Sequence, residues 1–362
     1  MKKKILFIIN WTFGLYSFRR ELLEETARKY NVYILANDNG FVEEFKKLGC
    51  HFIPSFVEGH GTNPLSELKL INFYKRKIKE VHPDIVFTYT IKPNIYAGMA
   101  CASLGIPYVP NVTGLGTAVE NGGIMQKITL PLYKFGLRKA RKVFFQNEDN
   151  LQFMVGRKIV KCNYELIPGS GVNLDRFHVL DYPNSDVTHF VFIARIIKEK
   201  GIDQYLDAAR YIRKNHPETR FHICGFCEKQ YEEIIDTAKS DGTIIYHGRI
   251  ENVIEIHKIS SCTIHPTYYP EGMSNVLLES AACGRPIITT DRPGCREIID
   301  NGVNGYVVKQ KDSQDLIEKI EMFLSLPWEK RCDMGLAGRS KVEQEFDRKI
   351  VVRKYLSEIE RV

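Results

Sequence analysis

Two carboxylates eight positions apart bracket the most chemically suggestive stretch of the sequence, Pro270-Glu271-Gly272-Met273-Ser274-Asn275-Val276-Leu277-Leu278-Glu279. The run reads as a strand end, a turn and the start of a helix, with Gly272 allowing a backbone to come close. The amides of Met273, Ser274 and Asn275 are expected to be the unpaired donors of a helix N-terminus, which suits a phosphate. Glu271 before the helix and Glu279 two turns into it would stand roughly 12 Å apart at 1.5 Å per residue. A glycosidase acid/base pair needs roughly 5 to 10 Å, so the spacing fits instead the two ends of a long ligand such as a nucleotide sugar. A helix capped by one glutamate and solvated at the other fits the same residues.

A second group of candidates is Arg195 and Lys200 in Phe192-Ile193-Ala194-Arg195-Ile196-Ile197-Lys198-Glu199-Lys200-Gly201, where two cations leave a strand end just before a helix. They fit a diphosphate, and equally a basic surface pair. No Asp-x-Asp occurs in the chain, so a divalent metal on a diphosphate has no obvious ligands and neither metal nor cofactor is expected. Cys224-Gly225-Phe226-Cys227 has the spacing of a redox dithiol or half a zinc site, but no second pair completes it.

The elements that must position these residues are legible as rhythm. Short apolar runs at Lys4 to Asn10, Val32 to Ala36, Ile85 to Tyr89, Tyr108 to Val112, Lys142 to Gln146, Phe190 to Ala194, Arg220 to Cys224, Ile244 to His247, Cys262 to His265 and Pro286 to Thr290 read as buried strands. Stretches with helical spacing lie between them, among them Tyr16 to Tyr30, Ser66 to Val81 and Ile202 to Lys214. The pattern is βαβα with parallel sheets. It breaks in the turn-rich segment from Ile167 to Val187. Two similar α/β domains follow: 1–170, a linker at 171–187, then 188–345, with a C-terminal helix at 346–362 expected to pack back on the first domain. Ligands of such sheets sit beyond the carboxyl ends of strands, and the natural site is the cleft between the two domains.

The chain has 362 residues, 44% hydrophobic and 26% charged, which excludes fibrous, disordered and disulfide-stapled classes. No run approaches the roughly 20 apolar residues of a membrane span. The opening Met1-Lys2-Lys3-Lys4-Ile5 imitates a signal peptide but lacks a cleavage site and reads as a first buried strand. Nine scattered cysteines fit a reducing compartment, and the protein is expected in the cytoplasm. Residues 1–170 carry 24 basic against 14 acidic residues and the remainder 27 against 30. That excess of 10 positive charges suggests that the first half meets something anionic. Gly123 to Lys142 mixes Lys127, Lys134, Arg138, Lys139, Arg141 and Lys142 with apolar residues, as a helix lying on anionic lipid does, or one with a solvated basic face.

In combination these motifs resemble family 4 of the retaining, GT-B fold glycosyltransferases. They are Ile167-Pro168-Gly169-Ser170-Gly171-Val172-Asn173 at the junction, Arg195 and Lys200, the Glu271 and Glu279 pair, Asp291-Arg292-Pro293-Gly294-Cys295-Arg296-Glu297, and Asn301-Gly302-Val303-Asn304-Gly305. The likeness covers essentially the whole chain and is strongest to bacterial members that build surface glycans on lipid-diphosphate acceptors. It implies two Rossmann-like domains facing each other across a cleft, and a nucleotide-sugar donor, UDP-linked by family habit. It implies that Arg195 and Lys200 bind the donor diphosphate, Glu279 the ribose, and that Glu271 lies by the sugar, with retention achieved by same-face attack and no enzyme nucleophile. Gly14 matches the family's glycine-rich loop after the first strand, although here it stands alone in Asn10-Trp11-Thr12-Phe13-Gly14. Where many relatives carry a first-domain histidine, this chain reads Asn111-Val112-Thr113-Gly114, so Lys92, Thr113 and Gly114 are expected on the sugar or acceptor side. The expected partners are the nucleotide sugar, a lipid-diphosphate-linked saccharide and an anionic membrane surface, not nucleic acid. A GT-B sugar-nucleotide epimerase and a non-enzymatic polyanion-binding protein are the alternatives.

Overall fold

The computed structural model describes residues 2–56, 64–120 and 122–362. It contains two compact units, Met1–Gly171 with Arg348–Val362, and Val172–Asp347. The first unit is built on seven strands: β1 (Lys4–Trp11), β2 (Asn31–Asn37), β3 (His51–Pro54), β4 (Ile85–Tyr89), β5 (Tyr108–Val112), β6 (Val143–Phe145) and β7 (Tyr164–Leu166). All pairings are parallel and the order is β3-β2-β1-β4-β5-β6-β7. Ile5 to Ile8 of β1 are fully buried, because helices cover both faces of the sheet, as a continuous apolar run requires. One face carries Leu6, Ile8, Val86 and Tyr108 and the other Ile5, Phe7, Ile34 and Phe87.

The second face is completed by the helix Arg348–Glu360. Its Tyr355 ring packs 5.0 Å from Phe87 and 4.9 Å from Phe144. Its hydroxyl accepts a 2.6 Å bond from the Asn111 amide. Arg348 pairs with Glu21 at 2.6 Å and donates to the Gly171 carbonyl. Near the other end, Glu358 takes Arg141 at 3.3 Å and Lys142 at 3.1 Å.

The second unit has six strands: β8 (Thr188–Ile193), β9 (Thr219–Cys224), β10 (Ile245–Tyr246), β11 (Cys262–His265), β12 (Ile287–Thr290) and β13 (Gly305–Val308). They are parallel in the order β10-β9-β8-β11-β12-β13. The helices Ile202–Asn215 and Ser313–Leu324 pack on one face with Phe190, Phe192, Phe221 and Ile264. Leu277, Leu278, Val342 and Phe346 join Ile287 in a second cluster. In both sheets the chain winds to one edge and then returns to the middle, between β1 and β4 and between β8 and β11. Ligands of open parallel sheets bind outside the carboxyl ends at such switch points.

The segment expected as a linker at 171–187 is packed on the second unit. Val172 and Phe177 are buried, and the Val172 amide donates to the Phe346 carbonyl at 2.8 Å. The fully buried Arg285 donates to the Leu180 and Asp181 carbonyls, and Arg339 to that of Phe177. Partners more than 100 residues away do what local periodicity would otherwise have done. Three strands lie outside the expected set, β3, β7 and β13, each at a sheet edge.

Candidate active site

The loops after β8 and β11, neighbours at the switch point of the second sheet, are knitted together by their backbones. Tyr268 donates its amide to the Glu199 carbonyl at 2.8 Å, and the Thr267 hydroxyl reaches the same oxygen at 3.3 Å. Gly201 has φ +76° and lies so close to Pro266 that a Cβ would sit 2.1 Å from its carbonyl oxygen, so only glycine fits this turn. This contact fixes where Lys200 emerges.

Lys200 Nζ forms a short ion pair with the Glu271 carboxylate, both side chains being mostly buried. Burial works against the Glu271 charge, but Lys200 outweighs it and holds the carboxyl at about 2. His265 ends β11 with Nε2 3.9 Å from Glu271, and neither ring nitrogen has a hydrogen-bond partner. Burial lowers its pKa, so the ring beside the ion pair is neutral. Arg195 is about half exposed and Lys200 is not, yet both lie over the ring of Tyr269, at 5.5 and 4.8 Å from its centre. Tyr269 is itself fixed by its amide on Thr267 and by Arg292 on its carbonyl. Two cations within 6 Å of the centre of one aromatic ring, beside an ionised carboxylate, are an arrangement whose chemistry suits a phosphate group.

The turn Pro293-Gly294 supports the carboxylate from below. Gly294 has φ +87°, donates its amide to Glu297 at 2.7 Å and accepts the Ser274 amide at 2.8 Å. A Cβ there would come within 2.7 Å of the Gly272 carbonyl and 3.0 Å of Glu271 Cβ. Two expectations are thereby corrected. The Ser274 amide is paired with Gly294 and is not an open donor, and the helix starts at Asn275 and runs to Ala282. Its opening turn is therefore Asn275, Val276 and Leu277, with Met273 and Ser274 buried ahead of it. Glu279, half-buried, stands one turn into the helix and not two.

In the first unit, Gly14 does not sit in a loop. β1 runs to Trp11 and the helix Thr12–Lys29 begins at the next residue, so Gly14 lies in its first turn, where a Cβ would make only an ordinary 3.7 Å contact with Ile9. The single glycine lacks the companions that would keep a loop open, and the helix takes its place. Lys92 follows β4, and Thr113 and Gly114 follow β5, so all three stand beyond the carboxyl ends of neighbouring strands. Lys92 is largely buried and pairs with Glu67 at 3.1 Å. Gly114 has φ +135°, which a larger residue would strain.

Sequence reasoning missed Tyr269 and His265. Nothing in the pattern Thr263-Ile264-His265-Pro266-Thr267-Tyr268-Tyr269 distinguishes a tyrosine that carries cations from one that packs. Cys224 and Cys227 are free thiols, and burial pushes Cys224 up to about 12, far from the reactive range of a redox dithiol. Among the described residues no group of three or more His, Cys, Asp or Glu could hold a metal ion. No helix there is long and apolar enough to cross a membrane.

Comparison with known proteins gives a consistent result for both units. Residues 182–341 match the family described as glycosyl transferases group 1, and residues 4–147 match glycosyl transferase 4-like. The chain is 24% identical over 96% of its length to N,N'-diacetylbacillosaminyl-diphospho-undecaprenol alpha-1,3-N-acetylgalactosaminyltransferase of Campylobacter jejuni, 96% of which is covered. It is 23% identical over 90% of its length to the capsular polysaccharide biosynthesis glycosyltransferase CapM of Staphylococcus aureus, covering 89% of that protein. Among solved structures, HepE of Anabaena, in complex with UDP and glucose, superposes with a TM-score of 0.81 at 15% identity over the whole of both chains. A glycosyltransferase from Rickettsia africae gives 0.78 at 19%, over 99% of this chain and 98% of that one.

Proposed function

Since this chain belongs to the group 1, GT4-like glycosyltransferases and has their GT-B fold, we propose that it transfers a sugar from a UDP-sugar, an N-acetylhexosamine by preference, to a lipid-diphosphate-linked saccharide in bacterial surface-glycan synthesis. The observation that carries the proposal is the gathering of Arg195 and Lys200 on Tyr269 beside Glu271. Such a group suits the departure of a nucleoside diphosphate, whose charge develops on phosphate oxygens. The acceptor reading is supported by the Campylobacter relative, whose substrate is a diphospho-undecaprenol sugar, and the UDP reading by HepE.

In this scheme the acceptor hydroxyl attacks the anomeric carbon from the face the diphosphate leaves. The sugar configuration is retained and the hydroxyl proton passes to the departing phosphate. Arg195, Lys200 and the opening turn at Asn275 stabilise that phosphate without a metal. Glu279 holds the ribose and Glu271 orients the sugar, while Lys92, Thr113 and Gly114 serve the sugar or acceptor side. The enzyme works on the cytoplasmic membrane surface, to which it is drawn through the helix Gly123–Leu137 with its exposed Ile124, Ile128 and Phe135. Membership of an enzyme family leaves the non-enzymatic polyanion-binding alternative without support.

The test is turnover of a panel of UDP-sugars with an undecaprenyl-diphosphate saccharide, with and without chelator, and the anomeric configuration of the product read by NMR. Hydrolysis or epimerisation of the donor without transfer, an inverted product, or loss of rate on chelation would each remove the corresponding part of the scheme.

A further inference from the structure

A groove of about 940 Å³ opens in the first unit between the C-terminal half of the helix Gly123–Leu137 and the segment 157–163. Its lining contains five cations, Lys134, Arg138, Arg157, Lys158 and Lys161, and no acidic residue. Arg141 and Lys142, next along the chain, are paired with Glu358 and Glu165. Among the described residues none of the five lining cations forms an ion pair. Their repulsion would ordinarily be relieved by acidic neighbours, so its persistence around one hollow marks a place for an anion. The hollow is not purely polar. Ile159, Val160 and Leu137 are buried there, and Phe135 is 55% exposed at its mouth.

Position separates this groove from the reacting end of the unit. It borders the residues that lead into β6 and β7, where the Val143 amide donates to the Asn163 carbonyl at 2.8 Å. Lys92 and Thr113 follow the carboxyl ends of β4 and β5, so in a parallel sheet the groove is at the opposite end. The mouth is continuous with an apolar stripe, because Ile124, Ile128, Pro131 and Phe135 recur at intervals of three and four along one helix face. Ile124 and Ile128 are 76% and 47% exposed.

We propose that this groove is a binding site for the headgroup of an anionic phospholipid, its phosphate among the five cations and the upper part of its acyl chains on Phe135, Leu130 and Pro131. The inference rests on the membrane-surface reading above and goes beyond it. Adsorption to a charged bilayer needs only a diffuse field, whereas this site predicts saturable binding of one lipid molecule per protein. A phosphate alone would not need the apolar floor, and a neutral headgroup would not need five cations without acidic partners, of which Arg157 and Arg138 lie over the rings of Phe153 and Phe135.

The experiment is a calorimetric titration of the full-length protein with dihexanoyl phosphatidylglycerol below its micelle concentration, against dihexanoyl phosphatidylcholine, inorganic phosphate and a short duplex DNA. Flotation with phosphatidylglycerol vesicles is run in parallel. The expected result is one-to-one binding of the phosphatidylglycerol alone, weakened at least tenfold in Arg157→Gln/Lys161→Gln, both exposed positions, with the thermal midpoint unchanged. No binding in the parent protein, equal binding of phosphatidylcholine, phosphate or DNA, or full retention of affinity in the variant would each overturn the site. Vesicle flotation that persists without monomeric lipid binding sinks the groove and spares the membrane reading. Loss of flotation with monomeric binding intact sinks the membrane reading instead.

Discussion

Lys200 and Glu271, 71 residues apart in sequence, form a largely buried ion pair that bridges the loops after β8 and β11. Removing one partner of such a pair leaves an uncompensated charge, which typically costs about 3–5 kcal/mol. Lys200→Ala is therefore expected to lower stability by about that amount, and the double variant Lys200→Ala/Glu271→Gln by clearly less. Urea unfolding of the three proteins checks this. The pH dependence has a definite sign. The Glu271 carboxyl is depressed to about 2 from an ordinary 4.5, so its contribution is complete above about 4.5 and is lost as pH falls toward 2. Acid unfolding over that window should be shallower in Glu271→Gln than in the parent.

The same residues should separate in kinetics. Arg195→Ala and Lys200→Ala should each lower turnover at saturating donor by roughly 100-fold, the usual effect of removing one donor to a developing charge. Glu271→Gln should chiefly lower kcat, since an interaction that strengthens only in the transition state appears there. Glu279→Gln, one turn into its helix, should chiefly raise the KM for the donor. Identical, purely KM effects in the two glutamate variants would reject the division of labour between them.

Tyr269 links the two cations, and its ring matters more than its hydroxyl. A cation over an aromatic face contributes about 0.5–1 kcal/mol at an exposed position. Tyr269→Phe should keep donor affinity within a factor of two. Tyr269→Ala should weaken it about two- to fivefold through Arg195, which is the more exposed of the pair. Equal effects from Phe and Ala would point to the hydroxyl and dismiss the ring as the organising element.

What the sequence conveyed follows from which forces are local. Nine of the ten expected strands recur because a parallel strand buried on both faces must be a continuous apolar run, as Ile5 to Ile8 are, and the tenth, β10, is a partly exposed two-residue edge strand. The edge strands β3 and β7 escape because His51-Phe52-Ile53-Pro54 and Tyr164-Glu165-Leu166 are partly exposed and broken by polar residues. β13 escapes because Gly305, pressed against the Ile287 backbone, reads as a turn residue. Charge partners are just as hidden. Glu271 and Lys200 were legible as candidates, but their union depends on the fit of Gly201 against Pro266. A lone glycine after a strand suits a loop and a helix alike, and Gly14 takes the helix.

The basic stretch Gly123 to Lys142, helical only as far as Leu137, needs a division that composition does not supply. Arg141 and Lys142 hold Glu358, whose side chain is only 4% exposed, so they serve the docking of the last helix. Lys127, Lys134, Arg138 and Lys139 form no ion pair among the described residues. Substituting these four with Gln should reduce flotation with anionic vesicles and leave UDP-sugar binding unchanged, each cation contributing on the order of 1 kcal/mol near the surface. Raising salt from 0.05 to 0.5 M should weaken the parent in the same way. Lys142→Gln should act on unfolding and not on flotation.

The helix Arg348–Glu360 closes the core of a unit whose other residues lie at the opposite end of the sequence, so its loss should act on that unit. Tyr355 is fully buried among Phe87, Tyr89 and Phe144. Replacing it with Ala removes an aromatic side chain from a packed core, at about 3–5 kcal/mol. Tyr355→Phe keeps the ring and strands the Asn111 amide, which donates to the hydroxyl at 2.6 Å, costing about 1–3 kcal/mol if no water replaces it. Hydrogen exchange should locate both effects. Protection is expected to fall in β1, β4 and β5 and in the terminal helix, while the strands β8 to β12 keep theirs. A uniform loss across both sheets would mean that the two units unfold as one, and that the terminal helix stabilises the whole chain and not the first sheet alone.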